Sequence, residues 1–288
     1  MITCNLMGGL GNQLFQIFAT ISYAIKCNDN FVFTNSKKLI NSNVRYTYWD
    51  NFLSFLSEFT QTIIYNKFCI INEKEFHYNE LPILKNNENV LLSGYFQSYK
   101  YFEENKEKIF KIINLEKKRE EVLKKYDISE KICKDSISIH FRLGDYIHLQ
   151  HVHPILSLEY YEKSLKYIIN KISNNSEIFE ECTPNVLVFC EKEDKPTVEN
   201  TIQILKNKCQ EYNIEFIIIS DEIEDWEQML LMSCCTHNII ANSTFSWWGA
   251  YINPNTKKIV CYPQKWFNLQ NLQNDIMDLC PKEWVCVN

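Results

Sequence analysis

Short strand-like segments alternate with helix-like segments along nearly the whole chain. The first kind consists of brief apolar runs, and the second kind repeats its apolar residues with the period of a helix. The predicted strands are 2–7, 31–34, 90–93, 137–141, 186–190, 214–220, 238–241 and 258–262. The predicted helices include 12–27, 103–113, 158–172, 195–211 and 224–233. Such alternation is typical of a parallel sheet covered by helices, so we predict an α/β fold.

The chain is long enough for two domains. Its 288 residues exceed one typical core, and we place the boundary near Asp135, between lobes 1–135 and 136–288. The charged stretch 115–135 predicts a solvated helix that leads into the second lobe. In that lobe the order of elements predicts a doubly wound sheet, which binds ligands at the carboxyl ends of its strands.

Composition and charge exclude several classes of protein. The net charge of -6 gives no general attraction for nucleic acid, so an anionic ligand needs a local set of donors. The 12 cysteines show no repeating spacing and no paired Cys-x-x-Cys set, which favours free thiols over disulfides or structural zinc. The sequence contains no recognisable signal peptide or transmembrane segment, so we expect a soluble, cytoplasmic protein.

The first motif is the glycine loop Gly8-Gly9-Leu10-Gly11-Asn12-Gln13, between the first predicted strand and the first predicted helix. Glycines let backbone amides approach an anion, and the helix start offers unpaired amides. A tight strand-to-helix turn explains the same residues equally well. Asn12 is placed either to cap the helix or to orient a sugar hydroxyl.

The second motif, His140-Phe141-Arg142-Leu143-Gly144-Asp145-Tyr146, follows a predicted strand. A guanidinium such as that of Arg142 can hold two oxygens of a departing diphosphate at once. The alternative is a surface arginine paired with Asp145, which itself either positions Arg142 or binds the substrate. His140 shares a face with Arg142 if the strand continues that far, and is otherwise a core histidine.

The third motif, Asn242-Ser243-Thr244-Phe245-Ser246-Trp247-Trp248-Gly249-Ala250, begins at a predicted helix start. Its hydroxyls and first amides suit a phosphate, and its two tryptophans are expected to pack in the core. Asp221, at the end of the strand 214–220, is placed to accept hydrogen bonds from a ribose or a guanine, or to cap a helix.

Together the three motifs resemble those of the alpha-1,2-fucosyltransferase family, glycosyltransferase family 11. Residues 8–16 match its first motif, and 242–250 match its last. Residues 140–146 match its central His-x-Arg-Arg-x-Asp-Tyr except that Leu143 replaces the second arginine, and 94–98 and 220–221 are similar to its connecting segments. The resemblance implies a GT-B-like fold, with two Rossmann-type lobes and an interdomain cleft where the motifs meet.

The resemblance also implies the reaction, an inverting transfer of L-fucose from GDP-L-fucose to the 2-hydroxyl of a galactose-containing glycan. It assigns catalytic roles to Asn12, Arg142 and Asp145, and a guanosine contact to Asp221. The donor-binding residues it implies are Gly9, Leu10, Gly11, Asn12, His140, Arg142, Asp221, Ser243, Thr244, Phe245 and Ser246. Leu143 leaves two alternatives open, a fucosyltransferase with another linkage or acceptor and an inactive nucleotide-sugar-binding module.

No metal or other cofactor is expected. The sequence lacks an Asp-x-Asp motif, and Glu191-x-Glu193 and Glu222-x-Glu224 are weak substitutes for one. His148, His151 and His153 are more typical of a polar loop than of a metal site. The general base that would accept the proton of the attacking hydroxyl is left open among three residues, Asp145, His153 and Glu159.

Overall fold

The computed structural model describes residues 1–40, 44–64, 67–83, 88–127, 136–174, 184–268 and 276–288. The chain divides into two compact units, Met1–Lys118 with Asn274–Pro281 and Arg119–Gln273 with Lys282–Asn288. The predicted boundary near Asp135 lies outside the described residues. Parallel sheets and helices in both units confirm the predicted α/β class, while the interdomain cleft stays a prediction.

The first unit contains seven strands within the described ranges. They are β1 (Ile2–Cys4), β2 (Phe33–Thr34), β3 (Lys38–Ile40), β4 (Val44–Tyr46), β5 (Thr60–Gln61), β6 (Phe68–Asn72) and β7 (Asn89–Ser93). Strands β1, β7 and β6 form a parallel sheet in that order, β2 pairs with β5, and β3 forms an antiparallel hairpin with β4. The helices are α1 (Leu10–Cys27), α2 (Lys106–Ile112) and the start of α3 (Leu115–Lys125).

Helix α1 is buried on almost every side, since 14 of its 18 residues are buried. Leu14, Phe15 and Ile17 are each at most 1% exposed, and the ring of Phe18 packs against Phe102 at 5.5 Å. A helix that is buried all round needs layers on both sides. The helix begins at Leu10, shortly after β1 ends at Cys4.

The second unit contains one sheet of six parallel strands. The strands are β8 (Ser136–His140), β9 (Asn185–Phe189), β10 (Glu215–Ile218), β11 (His237–Ile239), β12 (Val260–Pro263) and β13 (Val285–Val287). The helices between them are α4 (Leu158–Asn174), α5 (Lys195–Lys208), α6 (Asp225–Cys234) and α7 (Thr244–Tyr251). The spatial order is β10-β9-β8-β11-β12-β13, so the strand order reverses between β8 and β11. This is the dinucleotide-fold order, in which ligands bind at the carboxyl edge beside the reversal.

The predicted strands and helices are confirmed, with bounds that differ by a few residues. Sequence reasoning missed β5, β6, β13 and the antiparallel pair of β3 and β4, which are short or partly exposed. The prediction of a solvated helix over 115–135 is wrong in part: α3 contains Arg119, which is 6% exposed. Its guanidinium donates to the Ile252 carbonyl at 2.8 Å and to the Ser233 hydroxyl at 3.2 Å, so this charged residue anchors the helix.

Two further observations bear on the predicted class of protein. The ten cysteines in the described ranges are free thiols, as the sequence analysis predicts. Within those ranges, no helix combines the length and the apolar character that a membrane span requires.

Candidate functional site

The second motif and the third motif lie side by side at the carboxyl edge of the second unit's sheet. Strand β8 ends at His140 and β11 ends at Ile239, and these two strands flank the reversal of strand order. The ring centroid of His140 lies 5.5 Å from that of Phe245, and the Tyr146 hydroxyl donates to the Asn242 carbonyl at 3.0 Å. The fold thus joins residues that are about 100 positions apart in sequence.

Arg142 lies beyond the end of β8, so the condition for sharing a strand face with His140 is not met. Its Nη2 atom donates to Asp145 at 2.5 Å, and its Nη1 atom donates to Glu191 at the end of β9. Its guanidinium lies over the Tyr146 ring, 5.1 Å from the centroid. Arg142 is therefore paired with Asp145, as the alternative interpretation of the motif predicts. Two carboxylates and an aromatic ring hold its guanidinium in place.

The loop after β9 supports the second motif at a second point. The backbone amide of Gly144 donates to both carboxylate oxygens of Asp194, at 2.9 and 3.1 Å. Asp194 is 5% exposed. Sequence reasoning missed both Asp194 and the Arg142–Glu191 pair. The only sequence signal for these contacts was the acidic segment 191–194, which directly follows a predicted strand.

Three buried polar atoms at this edge have no hydrogen-bond partner: His140 Nδ1, His153 Nδ1 and Asn242 Oδ1. His140 is 6% exposed and Asn242 is 1% exposed. The Asn242 amide nitrogen donates to the carbonyls of Pro154 and Trp266 at 3.0 and 3.2 Å, so its orientation is fixed. Buried polar atoms are rarely left unpaired in proteins, and each exception needs an explanation such as a catalytic role or a bound ligand. Their location beside the strand reversal marks this edge as the candidate ligand site.

The third motif divides into a polar beginning and a packed end. Ser243 is the N-cap of α7, and its hydroxyl accepts from the Phe245 amide at 3.4 Å. The Ser246 hydroxyl accepts from the Ala241 amide at 3.2 Å, while Thr244 is the first residue of the helix. Trp247 and Trp248 are 0% exposed, which confirms their predicted place in the core.

Asp221 follows β10, the strand that neighbours β9 on the side away from β8. Its carboxylate pairs with Lys195 and, at 3.5 Å, with Lys192. The hydrogen bond and the positive charge from Lys195 lower the pKa of the Asp221 carboxyl. The cap of the next helix, α6, is Glu224, so the helix-cap alternative for Asp221 is wrong. The guanosine contact stays a prediction.

The glycine loop belongs to the first unit. Gly8 has a φ of 76°, a conformation that favours glycine, and a side chain there would collide with Asn12. Gly9 is the N-cap of α1, which begins at Leu10 and continues through Gly11, without a capping side chain. The helix-cap alternative for Asn12 is therefore wrong. Its Oδ1 atom instead accepts from the Gln97 side-chain amide at 2.9 Å.

Two buried glutamines of α1 fix the path of this loop. Gln13 donates to the carbonyls of Gly8 and Tyr46 at 3.0 and 2.9 Å. Gln16 accepts from the Met7 amide at 2.8 Å and donates to the Met7 carbonyl at 3.1 Å. Sequence reasoning missed the roles of both glutamines, although a glutamine among the buried residues of a helix indicates a buried hydrogen bond.

The three candidates for the general base differ in their surroundings. Asp145 binds Arg142, and the His153 ring stacks on Tyr146 at 4.5 Å between centroids. Burial, the largest effect, lowers the pKa of His153. Glu159 is exposed and pairs with Lys163 at 2.8 Å on α4. The choice among the three stays open.

Two of the residues considered for metal binding interact with other side chains. Glu191 binds Arg142, and Glu224 caps α6 and accepts from the Trp226 indole at 2.6 Å. In the described part of the chain, no three His, Cys, Asp or Glu side chains form a group that could hold a metal ion. His148, His151 and His153 are included in that statement.

The free energy of unfolding is expected to decrease as the pH falls from about 6.5 to about 4. Burial lowers the pKa of His140 to about 3, with a further contribution from Arg142, and burial lowers that of His237 to about 4. Both histidines titrate near 6.5 when unfolded, so the unfolded chain binds more protons below that pH. Thermal unfolding measured between pH 8 and pH 4 tests this.

A matched pair of variants isolates the histidine contribution to this pH dependence. His237 accepts from the Ile259 amide at 2.9 Å, so it must be neutral in the fold. His237→Gln should reduce the slope of stability against pH by up to about 1.4 kcal/mol per pH unit, whereas His148→Gln, at an exposed position, should not. Equal slopes for the two variants would contradict the explanation.

Comparison with known proteins agrees with the motifs. A family model described as Glycosyl transferase family 11 matches residues 1–288. The chain is 27% identical to the O-antigen biosynthesis glycosyltransferase WbnK of Escherichia coli, over 96% of this chain and 98% of the relative. It is 28% identical to an alpha-1,2-colitosyltransferase of Escherichia coli, over 99% and 98%.

A solved structure with a similar chain path is that of a point mutant of Arabidopsis thaliana FUT1 in complex with GDP. The match covers 90% of this chain and 69% of that chain, with 12% identity and a TM-score of 0.47.

Proposed function

Because the chain belongs to glycosyltransferase family 11, we propose that it transfers L-fucose from GDP-L-fucose to the 2-hydroxyl of a galactose-containing glycan. The transfer inverts the anomeric centre and requires no metal. A bond forms between the galactose O2 and the fucose C1 while the bond from C1 to the diphosphate breaks. GDP leaves with the electron pair, and the hydroxyl proton passes to a base.

The position of Arg142 is the observation that carries this proposal. Breaking the bond from C1 to the diphosphate places negative charge on GDP, and a fixed guanidinium stabilises that charge. Arg142 already binds the carboxylate oxygens of Asp145 and Glu191 through two different nitrogens. Diphosphate oxygens have the same charge and similar hydrogen-bonding demands, so they can replace a carboxylate there. Glu191, which comes from another strand, is the partner that a diphosphate would displace, and Asp145 would keep Arg142 in position.

The beginning of the third motif lies at the same edge of the sheet as the second motif. Helix α7 begins there at Thr244, and the start of a helix favours an anion. The unpaired atoms of His140 and Asn242 lie at the same edge. A ligand that forms hydrogen bonds with these atoms offsets the free-energy cost of burying them unpaired. Asn242 Oδ1 can only accept a hydrogen bond, so it fits a donor such as a sugar hydroxyl, and a nucleotide sugar carries such hydroxyls together with its anionic diphosphate.

A second candidate function is the transfer of colitose. It is favoured by the colitosyltransferase that is 28% identical to this chain. Leu143, in place of the family's second arginine, also leaves open another linkage or an inactive binding module. The donor and the turnover are therefore tested in one assay, and the linkage is tested by analysis of its product.

Release of GDP from GDP-fucose, measured with and without lactose, tests the proposed function. Acceptor-dependent release supports fucosyl transfer to a β-galactoside. Acceptor-dependent turnover of activated colitose, with no turnover of GDP-fucose, would instead support the second candidate. Binding of GDP-fucose with no turnover on lactose or on other β-galactosides would favour the inactive nucleotide-sugar-binding module.

Chelation with EDTA is expected to leave the rate of transfer within about twofold of the untreated rate. The physical reason is that Arg142 and backbone amides supply the stabilisation that a metal gives in other enzymes. Initial rates in EDTA and in added Mg²⁺ or Mn²⁺ check this. Loss of activity in EDTA, with recovery on adding a divalent ion, would overturn the metal-free mechanism.

A further inference from the structure

The segment Gly94–Ser98 of the first unit has an unusual backbone that is held by a carboxylate. It follows β7, and the Tyr95 amide donates to Glu73 Oε2 at 2.7 Å. Gly94 has a φ of 156°, and a side chain there would collide with Glu73. Phe96 has a φ of 52°, which is costly for a residue other than glycine. Strain of this kind persists only where the surrounding structure imposes it.

Two interactions impose this conformation. The Phe96 ring is 0% exposed and meets the Tyr101 ring edge-on, 5.2 Å between centroids. Burial raises the pKa of Glu73, whereas the backbone amides of Tyr95, Phe96 and Gln97 lower it by stabilising the charged carboxylate. The aromatic contact and the carboxylate therefore fix the segment from its two sides.

The segment places Gln97 against the glycine loop. Gln97 is 8% exposed, and its amide nitrogen donates to Asn12 Oδ1 at 2.9 Å. Because a side-chain amide nitrogen is only a donor, this bond fixes which end of the Asn12 amide faces Gln97. Gly8, which has no side chain, leaves room for the other end of that amide.

We infer that Gln97 and Glu73 are positioning residues that hold Asn12 in the orientation needed for sugar transfer. The inference rests on the proposed function, in which Asn12 contacts the substrate. Glu73 fixes the segment, the segment fixes Gln97, and Gln97 fixes the Asn12 amide. A displacement of about 1 Å at a substrate-contacting group can lower a rate about a hundredfold, so such support affects turnover.

A double-mutant cycle tests this inference. Gln97→Met keeps the length of the side chain and removes its donor. We expect this change to lower kcat about tenfold in the wild-type protein and less than about twofold in the Asn12→Ala variant, because the effect passes through Asn12. An equal reduction in both backgrounds would overturn the inference, and so would full activity of either single variant.

The matched control for Gln97→Met is Ser22→Ala, on helix α1, which also contains Asn12. Ser22 accepts from Asn105 at 3.2 Å in a buried pair, so this variant also loses one buried hydrogen bond. It should lower Tm about as much as Gln97→Met and leave kcat within about twofold. A comparable loss of kcat in Ser22→Ala would assign the Gln97 effect to general destabilisation.

A pair of variants at Glu73 tests the first step of the chain of contacts. Glu73→Gln retains an acceptor oxygen for the Tyr95 amide, whereas Glu73→Ala does not. We expect Glu73→Ala to lower kcat about tenfold, and Glu73→Gln to recover most of that loss. Equal rates for the two variants would remove Glu73 from the inference.

Failure of this inference is separable from failure of the proposed function. Both sets of variants are read with the nucleotide sugar that the wild-type protein turns over. If that donor carries colitose, the proposed donor is wrong but the coupling between Gln97 and Asn12 is still measured. If the protein binds GDP-fucose without turnover, the double-mutant cycle of Gln97 and Asn12 is measured on the Kd for GDP-fucose instead of on kcat.

Discussion

Arg142→Ala is expected to lower kcat for fucosyl transfer at least about a hundredfold with little change in Tm. Removing one group that stabilises charge in a transition state typically costs this much. The Arg142 side chain is 20% exposed and binds two carboxylates that are both more than 40% exposed, so its ion pairs contribute little to stability. Steady-state kinetics and thermal unfolding of the same preparation measure both quantities.

Two arginine variants control for this result. Arg142→Lys keeps the charge but cannot hold two oxygens in one plane, so it should recover only part of the loss. Arg119→Ala removes a buried arginine whose partners are Ser233 and Ile252, and it should lower Tm strongly with kcat of the folded fraction retained. A folded Arg142→Ala protein with near-normal kcat would contradict the assigned role of Arg142.

Trp247→Ala is expected to destabilise the second unit by about 3–5 kcal/mol, the range for removing a large buried aromatic side chain. The Trp247 ring is 0% exposed and stacks on Tyr251 at 4.6 Å. It also contacts the rings of Trp248 at 5.1 Å and Trp284 at 5.5 Å. An alanine therefore leaves a cavity among three aromatic rings. Thermal unfolding should show Tm lowered by roughly 10 °C.

A conservative variant separates packing from chemistry at this position. Trp247→Phe keeps an aromatic ring and should lose clearly less stability than Trp247→Ala. At a temperature where both variants are folded, each should retain kcat within a few-fold of the wild-type value, because the polar beginning of the motif is unchanged. A Trp247→Ala protein with wild-type Tm would contradict the packing role.

The layout of the fold could be predicted because it depends on local signals. Apolar runs such as 186–190 and amphipathic runs such as 158–172 determine strands and helices from their own residues. The glycine loop and the third motif were placed correctly for the same reason, since each lies where a strand gives way to a helix. The burial of Trp247 and Trp248 follows from their size and apolar character.

The side-chain pairings around the motifs of each unit could not be predicted because they join distant parts of the chain. Arg142 and Glu191 are 49 positions apart, and Asn12 and Gln97 are 85 apart. Such pairs depend on which side chains the loops bring together at the strand ends, and the local sequence pattern does not determine this. Arg119 was misjudged for a related reason, because a charged helix was expected to be solvated throughout while one arginine finds buried partners on other elements.

The structure of the product from GDP-fucose and lactose tests the central claim most directly. Purified protein is incubated with both substrates, and the trisaccharide is isolated and its linkage determined by NMR. The account predicts a single fucose in the α configuration, attached to O2 of the galactose. Attachment at any other oxygen, or the absence of a fucosylated product when GDP-fucose binds, would contradict it.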